Sequence, residues 1–132
     1  MIKRIMAISL VICIFGSCLL LTQAEAVEQR ASEYFNSANT TLSASKSVTF
    51  YCMATSPMSS IRVSYCWLQQ KVDGKWEFVK HLTPPSYTGT NTAFFQYTQS
   101  YAGDIGSGTY RVAATYNADG HAIAAYSNER TF

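Results

Sequence analysis

Histidine is nearly missing from this chain, which holds His81 and His121 and no others. Neither has a cysteine or carboxylate at metal-ligand spacing. Two isolated imidazoles neither close a metal site nor form a base with an orienting partner. We therefore expect no metal, no cofactor and no catalytic residue, and read both histidines as surface residues. Nucleophile motifs are lacking too: Gly106-Ser107-Gly108 is too short for a nucleophile elbow and precedes a strand-like run. The surrounding segment, residues 103–108, has no phosphate-loop lysine and leads into a strand instead of a helix. Asp73, Asp104 and Asp119 each adjoin a glycine, so turn chemistry accounts for their carboxylates.

Charge is sparse, at 14% of residues with a formal net charge of +2. The part beyond residue 26 keeps all the Lys and Arg except Lys3 and Arg4, and all the acids except Glu25, so its net charge is about +1. That excludes an electrostatic case for nucleic acid or for an anionic membrane surface. Helical periodicity is also absent beyond the leader, where no run of ten or more residues repeats apolar positions at the helical spacing.

The one long apolar run, Ile5 to Leu21, follows Lys3 and Arg4 and precedes Ala24-Glu25-Ala26. A basic start, an apolar stretch somewhat short of a bilayer span and a small-x-small triplet form a secretory signal, expected to be cleaved after residue 26. Secretion follows, with no stable membrane insertion after processing. The alternative is surface attachment through an uncleaved leader or a lipid on Cys18, although Phe15 and Leu19-Leu20-Leu21 fit a lipid-attachment motif poorly. The compact leader resembles bacterial signals. Cys13 and Cys18 leave with it, and Cys52 and Cys66 remain. In an exported chain an even pair is most simply one disulfide, worth roughly 3 kcal/mol for a loop of about 15 residues. The spacing fits neither zinc nor a Cys-x-x-Cys redox pair.

What remains is strand-forming. Asp73-Gly74 lies between alternating apolar runs and predicts a two-residue hairpin that sets Val72 against Lys75, Gln69 against Phe78 and Trp67 against Lys80. One face of this hairpin would collect Ile61, Val63, Tyr65, Trp67, Trp76, Phe78 and Leu82, and the other Cys66, Leu68, Val79 and His81. Ser47–Thr55 alternates, with Val48, Phe50, Cys52 and Ala54 together, and Ser56-Pro57 should end it. Ala93–Tyr101, Thr109–Tyr116 and His121–Thr131 complete six clear strands, with a doubtful one before them. Residues 27–39 read as a flexible lead-in and 40–132 as one all-β domain of about seven strands. A single short domain favours a closed antiparallel β-sandwich, because an open sheet leaves a second face to cover.

Gly108-Thr109-Tyr110-Arg111-Val112, then Tyr116, Asp119-Gly120 and Ser127-Asn128, resembles the last hairpin of immunoglobulin-like and fibronectin-III-like domains. Cys66-Trp67 followed by Gln69-Gln70-Lys71 resembles an immunoglobulin third strand, but Val112 stands where the second cysteine of that pattern belongs. Over Lys46 to Asn128 the chain is similar to small exported proteins of Gram-positive bacteria with a Leu-Gln-x-x-x-x-x-Gly-x-Trp hairpin, here Leu68 to Trp76. That resemblance implies an immunoglobulin-like sandwich of uncharacterised function and carries no catalytic residues.

The functional question falls on Tyr65, Trp67, Trp76 and Phe78. They form either the core, with Trp67 at its centre and the disulfide at the margin, or an exposed ligand platform for sugar rings, glycans or peptides. The first alternative is the expectation, and a bulge near Cys66 would resolve the competing demands of the cysteine and tryptophan faces. The function expected is a non-enzymatic exported binding module for an extracellular protein or glycan. The alternative is a small secreted effector or inhibitor of an extracellular enzyme, presenting the segment Thr83 to Thr92.

Overall fold

The computed structural model describes residues 33–132. The expected leader, its cleavage site, Cys18 and residues 27–32 lie outside the described residues. Seven antiparallel strands form one connected sheet: β1 (Phe35–Leu42), β2 (Ser47–Val72), β3 (Lys75–Leu82), β4 (Gly89–Ser100), β5 (Thr109–Ala118), β6 (His121–Tyr126) and β7 (Arg130–Thr131). The described domain is thus all-β, as the residue pattern implies.

Two boundaries differ from the sequence reading. β1 starts at Phe35, whose side chain is buried, so residues 35–39 belong to the sheet and not to a flexible lead-in. The polar run that follows Phe35 hides this strand, because its outward positions outnumber its core positions. β2 is one strand of 26 residues where two were expected. Pro57 does not end it. Pairing to β1 stops at Ala54, and pairing to β4 jumps from Met53 to Met58, so Pro57 lies where no ladder donor is required.

β2 organises everything else. Its first half pairs with β1 on one side and β4 on the other. Its second half pairs with β3 and β5, and β5 continues to β6 and β7. The expected two-residue hairpin at Asp73-Gly74 is present, and the turn between β5 and β6 also has two residues, Asp119 and Gly120. Asp73 and Gly74 have φ of 51° and 78°, and Asp119 and Gly120 have φ of 50° and 87°, the doubly left-handed turn that matches strand twist. Asp119 also tethers β2, its two carboxylate oxygens accepting from the Ser59 and Ser60 amides at 2.9 and 3.0 Å.

The inward residues of the two halves meet at Tyr116 on β5. Val48, Phe50, Cys52 and Ala54 line the first half as their alternation predicts, and Val112, Ala114 and Tyr116 line β5. Phe50 and Phe95 each lie edge-on to the Tyr116 ring at 6.4 Å. Its hydroxyl donates to the Asn39 carbonyl at 2.7 Å and accepts from the Tyr51 amide at 3.2 Å, with Thr40 Oγ1 3.0 Å away. One fully buried oxygen therefore joins β5 to β1 and β2. The C-terminal segment adds a second clamp, in which Asn128 both donates to and accepts from the Leu42 backbone at 3.0 and 2.9 Å. Tyr116→Phe keeps the ring but removes the buried hydroxyl that Asn39, Thr40 and Tyr51 share, so we predict a loss of about 1–3 kcal/mol in denaturant unfolding with the strand content unchanged.

Candidate ligand-binding face

Two bulges decide which side chains reach solvent. Val63 pairs with Tyr116 and Tyr65 with Thr115, which leaves Ser64 as an extra residue on β2. Its hydroxyl donates to the Thr115 carbonyl at 3.2 Å. Before Ser64 the odd-numbered residues Ile61 and Val63 are buried; after it the even-numbered Cys66 and Leu68 are. The second bulge leaves Val79 over, because Gln69 pairs with Phe78 but Leu68 pairs with Lys80. His81, not Lys80, therefore stands opposite Trp67, and Leu82 turns inward opposite Cys66.

The expected tryptophan core is corrected accordingly. Of the seven residues assigned to one face, Ile61, Val63 and Leu82 are buried, whereas Tyr65 and Phe78 are 49% and 56% exposed and Trp67 and Trp76 are half-buried. The hairpin register from Val72 to Gln69 is as predicted; only the facing beyond the bulges differs.

The four aromatic residues share the outer face of β2 and β3, in two groups. Tyr65 lies edge-on to Trp67, with centroids 5.6 Å apart and planes at 61°. His81 sits 4.9 Å from both Tyr65 and Phe78, and its Nε2 is 3.3 Å from the Tyr65 hydroxyl. Trp76 belongs to the second group. The Arg111 guanidinium carbon lies 4.4 Å from the Trp76 ring centre and 4.2 Å from that of Tyr126, and Arg111 Nε donates to Gln69 Oε1 at 2.7 Å. Lys71 Nζ is 5.7 Å from the Trp76 ring and pairs with Glu129 at 3.3 Å.

Arg111, Tyr126 and Gln69 were not singled out from sequence as members of this face, and His81, expected on the opposite face with Cys66 and Leu68, joins it because the Val79 bulge shifts the register. Tyr126 carried a usable signal, since a two-residue turn at Asp119-Gly120 sets it opposite Ala113, which pairs with Trp67. Such a face can stack on rings and present a cation. It holds no nucleophile with a base, and among the described residues no three His, Cys, Asp or Glu cluster to hold a metal. The segment from Thr83 is held down: Tyr101 Oη donates to the Thr83 carbonyl at 2.7 Å, Pro85 is buried, and Tyr87 stacks on Tyr97 at 5.5 Å.

The disulfide expectation is also corrected. Cys52 and Cys66 are free thiols, both buried. Cys52 pairs with Ala38 and Phe95, whereas Cys66 pairs with Leu82 and Ala114, so each is absorbed into its own part of the core. Burial pushes the Cys52 thiol up to about 12 and Cys66 up to about 11, the latter opposed by its hydrogen bond with Tyr101. At neutral pH no thiolate is present to start exchange. Tyr116 is likewise pushed up by burial to about 12.

These groups are acids whose folded values exceed their unfolded ones. Their stabilising contribution is complete below about pH 9 and is lost as pH rises through 11 to 12. We predict that unfolding free energy falls steadily above pH 9. Mass-mapped alkylation should modify Cys52 and Cys66 without reductant, but only after denaturation; alkylation that requires reductant would show a bond.

No protein-family model matches the chain, and no curated protein matches it significantly.

Proposed function

We propose that the domain is an exported, non-enzymatic binding module with an immunoglobulin-like sandwich fold, whose ligand lies on the outer face of β3, β2 and β5. The fold reading is supported by strand neighbours. A β1–β2–β4 group and a β3–β2–β5–β6 group, joined through β2, match the two sheets of an immunoglobulin-like domain. Tyr110 adds to this: its hydroxyl donates to the Ser107 carbonyl at 3.1 Å, two residues before Val112, as in the tyrosine corner of that architecture. Export rests on the leader-like residues 1–26.

The observation that carries the binding reading is the position of Tyr65, Phe78, Trp67, Trp76 and Tyr126 on the solvent side of strands whose other side is already a closed core. Leaving such rings in water forgoes roughly 1.5–3 kcal/mol per fully buried side chain, and grouped exposed aromatics mark interaction surfaces. Stacking on rings and pairing with a cation are binding chemistry. The effector or inhibitor reading needs a presented loop after Thr83, and the inward-held Pro85 and stacked Tyr87 weigh against it.

A glycan array probed with the purified protein tests this reading. We expect retained glycans and a loss of about tenfold or more, roughly 1.4 kcal/mol, on Trp76→Ala. Turnover of esterase, glycosidase, peptidase or thiol-exchange substrates that disappears on replacing His81 or His121 would overturn it.

A further inference from the structure

We propose that the outer face takes an acidic glycan whose sugar units carry carboxylates, with Arg111 as its anchor; this rests on the binding-module reading above. Arg111 is held in place before any ligand arrives. Its guanidinium is flanked by Trp76 and Tyr126 at 4.4 and 4.2 Å, and Nε is committed to Gln69. Among the described residues, no hydrogen bond or salt bridge engages its two Nη groups. A planar fork with fixed orientation and two open donors is the arrangement that receives a carboxylate in two parallel bonds, and the ordering cost of a long side chain is already met.

A second cation stands beside it. Lys71 shares the Trp76 ring, and its partner Glu129 is exposed, so that ion pair contributes little and can be exchanged for a ligand carboxylate. Two positive side chains, Arg111 held in place and Lys71 exchangeable, thus border the aromatic patch.

Three other occupants fit less well. A second copy of the chain would set Arg111 and Lys71 against themselves across a two-fold axis. Four strands over six residues also span only about 20 Å by 20 Å, or roughly 400 Å², half of what one partner contributes to a standard protein interface. A peptide is read through a sheet edge, a groove, a backbone nest or a cluster of arginines. Arg111 on β5 and Lys71 on β2 lie on strands paired on both sides, away from the open edges of β3 and β6, and Arg111 stands beside the rings as one arginine and not a cluster. A neutral sugar would use the rings and leave the guanidinium fork empty. A uronic acid polymer uses both, its C–H faces stacking on the tilted rings and its carboxylates meeting Arg111 and Lys71.

Titration calorimetry of the full chain with defined oligomers decides the matter, using hexamannuronate, hexagalacturonate, cellohexaose and hexaglutamate. At least one uronate hexamer should bind tenfold or more tightly than cellohexaose, and its binding should weaken as NaCl rises from 0.05 to 0.5 M. Arg111→Lys keeps the charge but removes the fork, and should cost tenfold or more in affinity with an unchanged unfolding midpoint. Equal binding of cellohexaose, or an Arg111→Lys variant that binds uronate as the wild type does, overturns the inference and leaves the platform intact. Hexaglutamate binding in place of any glycan overturns it in favour of an acidic peptide. Uronate binding indifferent to both Arg111→Lys and Trp76→Ala overturns the face itself.

Discussion

One extra residue sets which side chains this domain shows to the world. Ser64 has no partner of its own between the Val63–Tyr116 and Tyr65–Thr115 pairs, and its hydroxyl hydrogen-bonds the carbonyl it displaces. Side chains alternate across a strand with a period of two, so one inserted residue exchanges the faces of everything after it. Without the bulge, Tyr65 and Trp67 would continue the buried series of Ile61 and Val63. With it, Cys66 and Leu68 take those positions and the large rings turn outward. Cys66 and Leu68 are buried opposite Ala114 and Val112, and an indole in either place would force the close-packed core to repack.

The remaining architecture keeps that exchange in place. Tyr116, directly opposite the last residue before the bulge, is locked from the far side by Asn39, Thr40 and Tyr51. β5 therefore cannot slip relative to β2 without breaking the buried hydroxyl contacts of Tyr116. The Val79 bulge makes the matching adjustment on β3, which returns Leu82 to the core and brings His81 between Tyr65 and Phe78. Outside, the rings support one another edge to face and hold Arg111 between two of them. A rigid scaffold bearing a preorganised surface is what recognition by few contacts requires.

Local chemistry was legible in the sequence. Asp73-Gly74 specified its turn because both positions need positive φ, and the alternation of Val48 to Ala54 and of Tyr110 to Tyr116 specified buried faces. A bulge near Cys66 was legible as one way to reconcile the cysteine and tryptophan faces, but its place at Ser64 and the second bulge at Val79 were not, since neither residue type announces an extra position and both follow from fitting β2 to its partner strands. Pro57 misled because a local stop rule assumes a ladder, and there is none at that point. The cysteines misled because an expected export signal argues for pairing, whereas their surroundings treat them as small apolar groups. The Trp76–Arg111–Tyr126 group needs β3, β2, β5 and β6 side by side, an order that no stretch of sequence contains.

The exchange of faces is tested most directly on two neighbouring residues. Leu68 is fully buried and Trp67 is not. The unfolding free energies of Leu68→Ala and Trp67→Ala, taken from the same denaturant titration, should place Leu68 as the costlier loss at about 2–5 kcal/mol, with Trp67 well below it. The reverse order, with Trp67→Ala losing several kcal/mol and Leu68→Ala little, would contradict the bulge at Ser64 and return the tryptophans to the core.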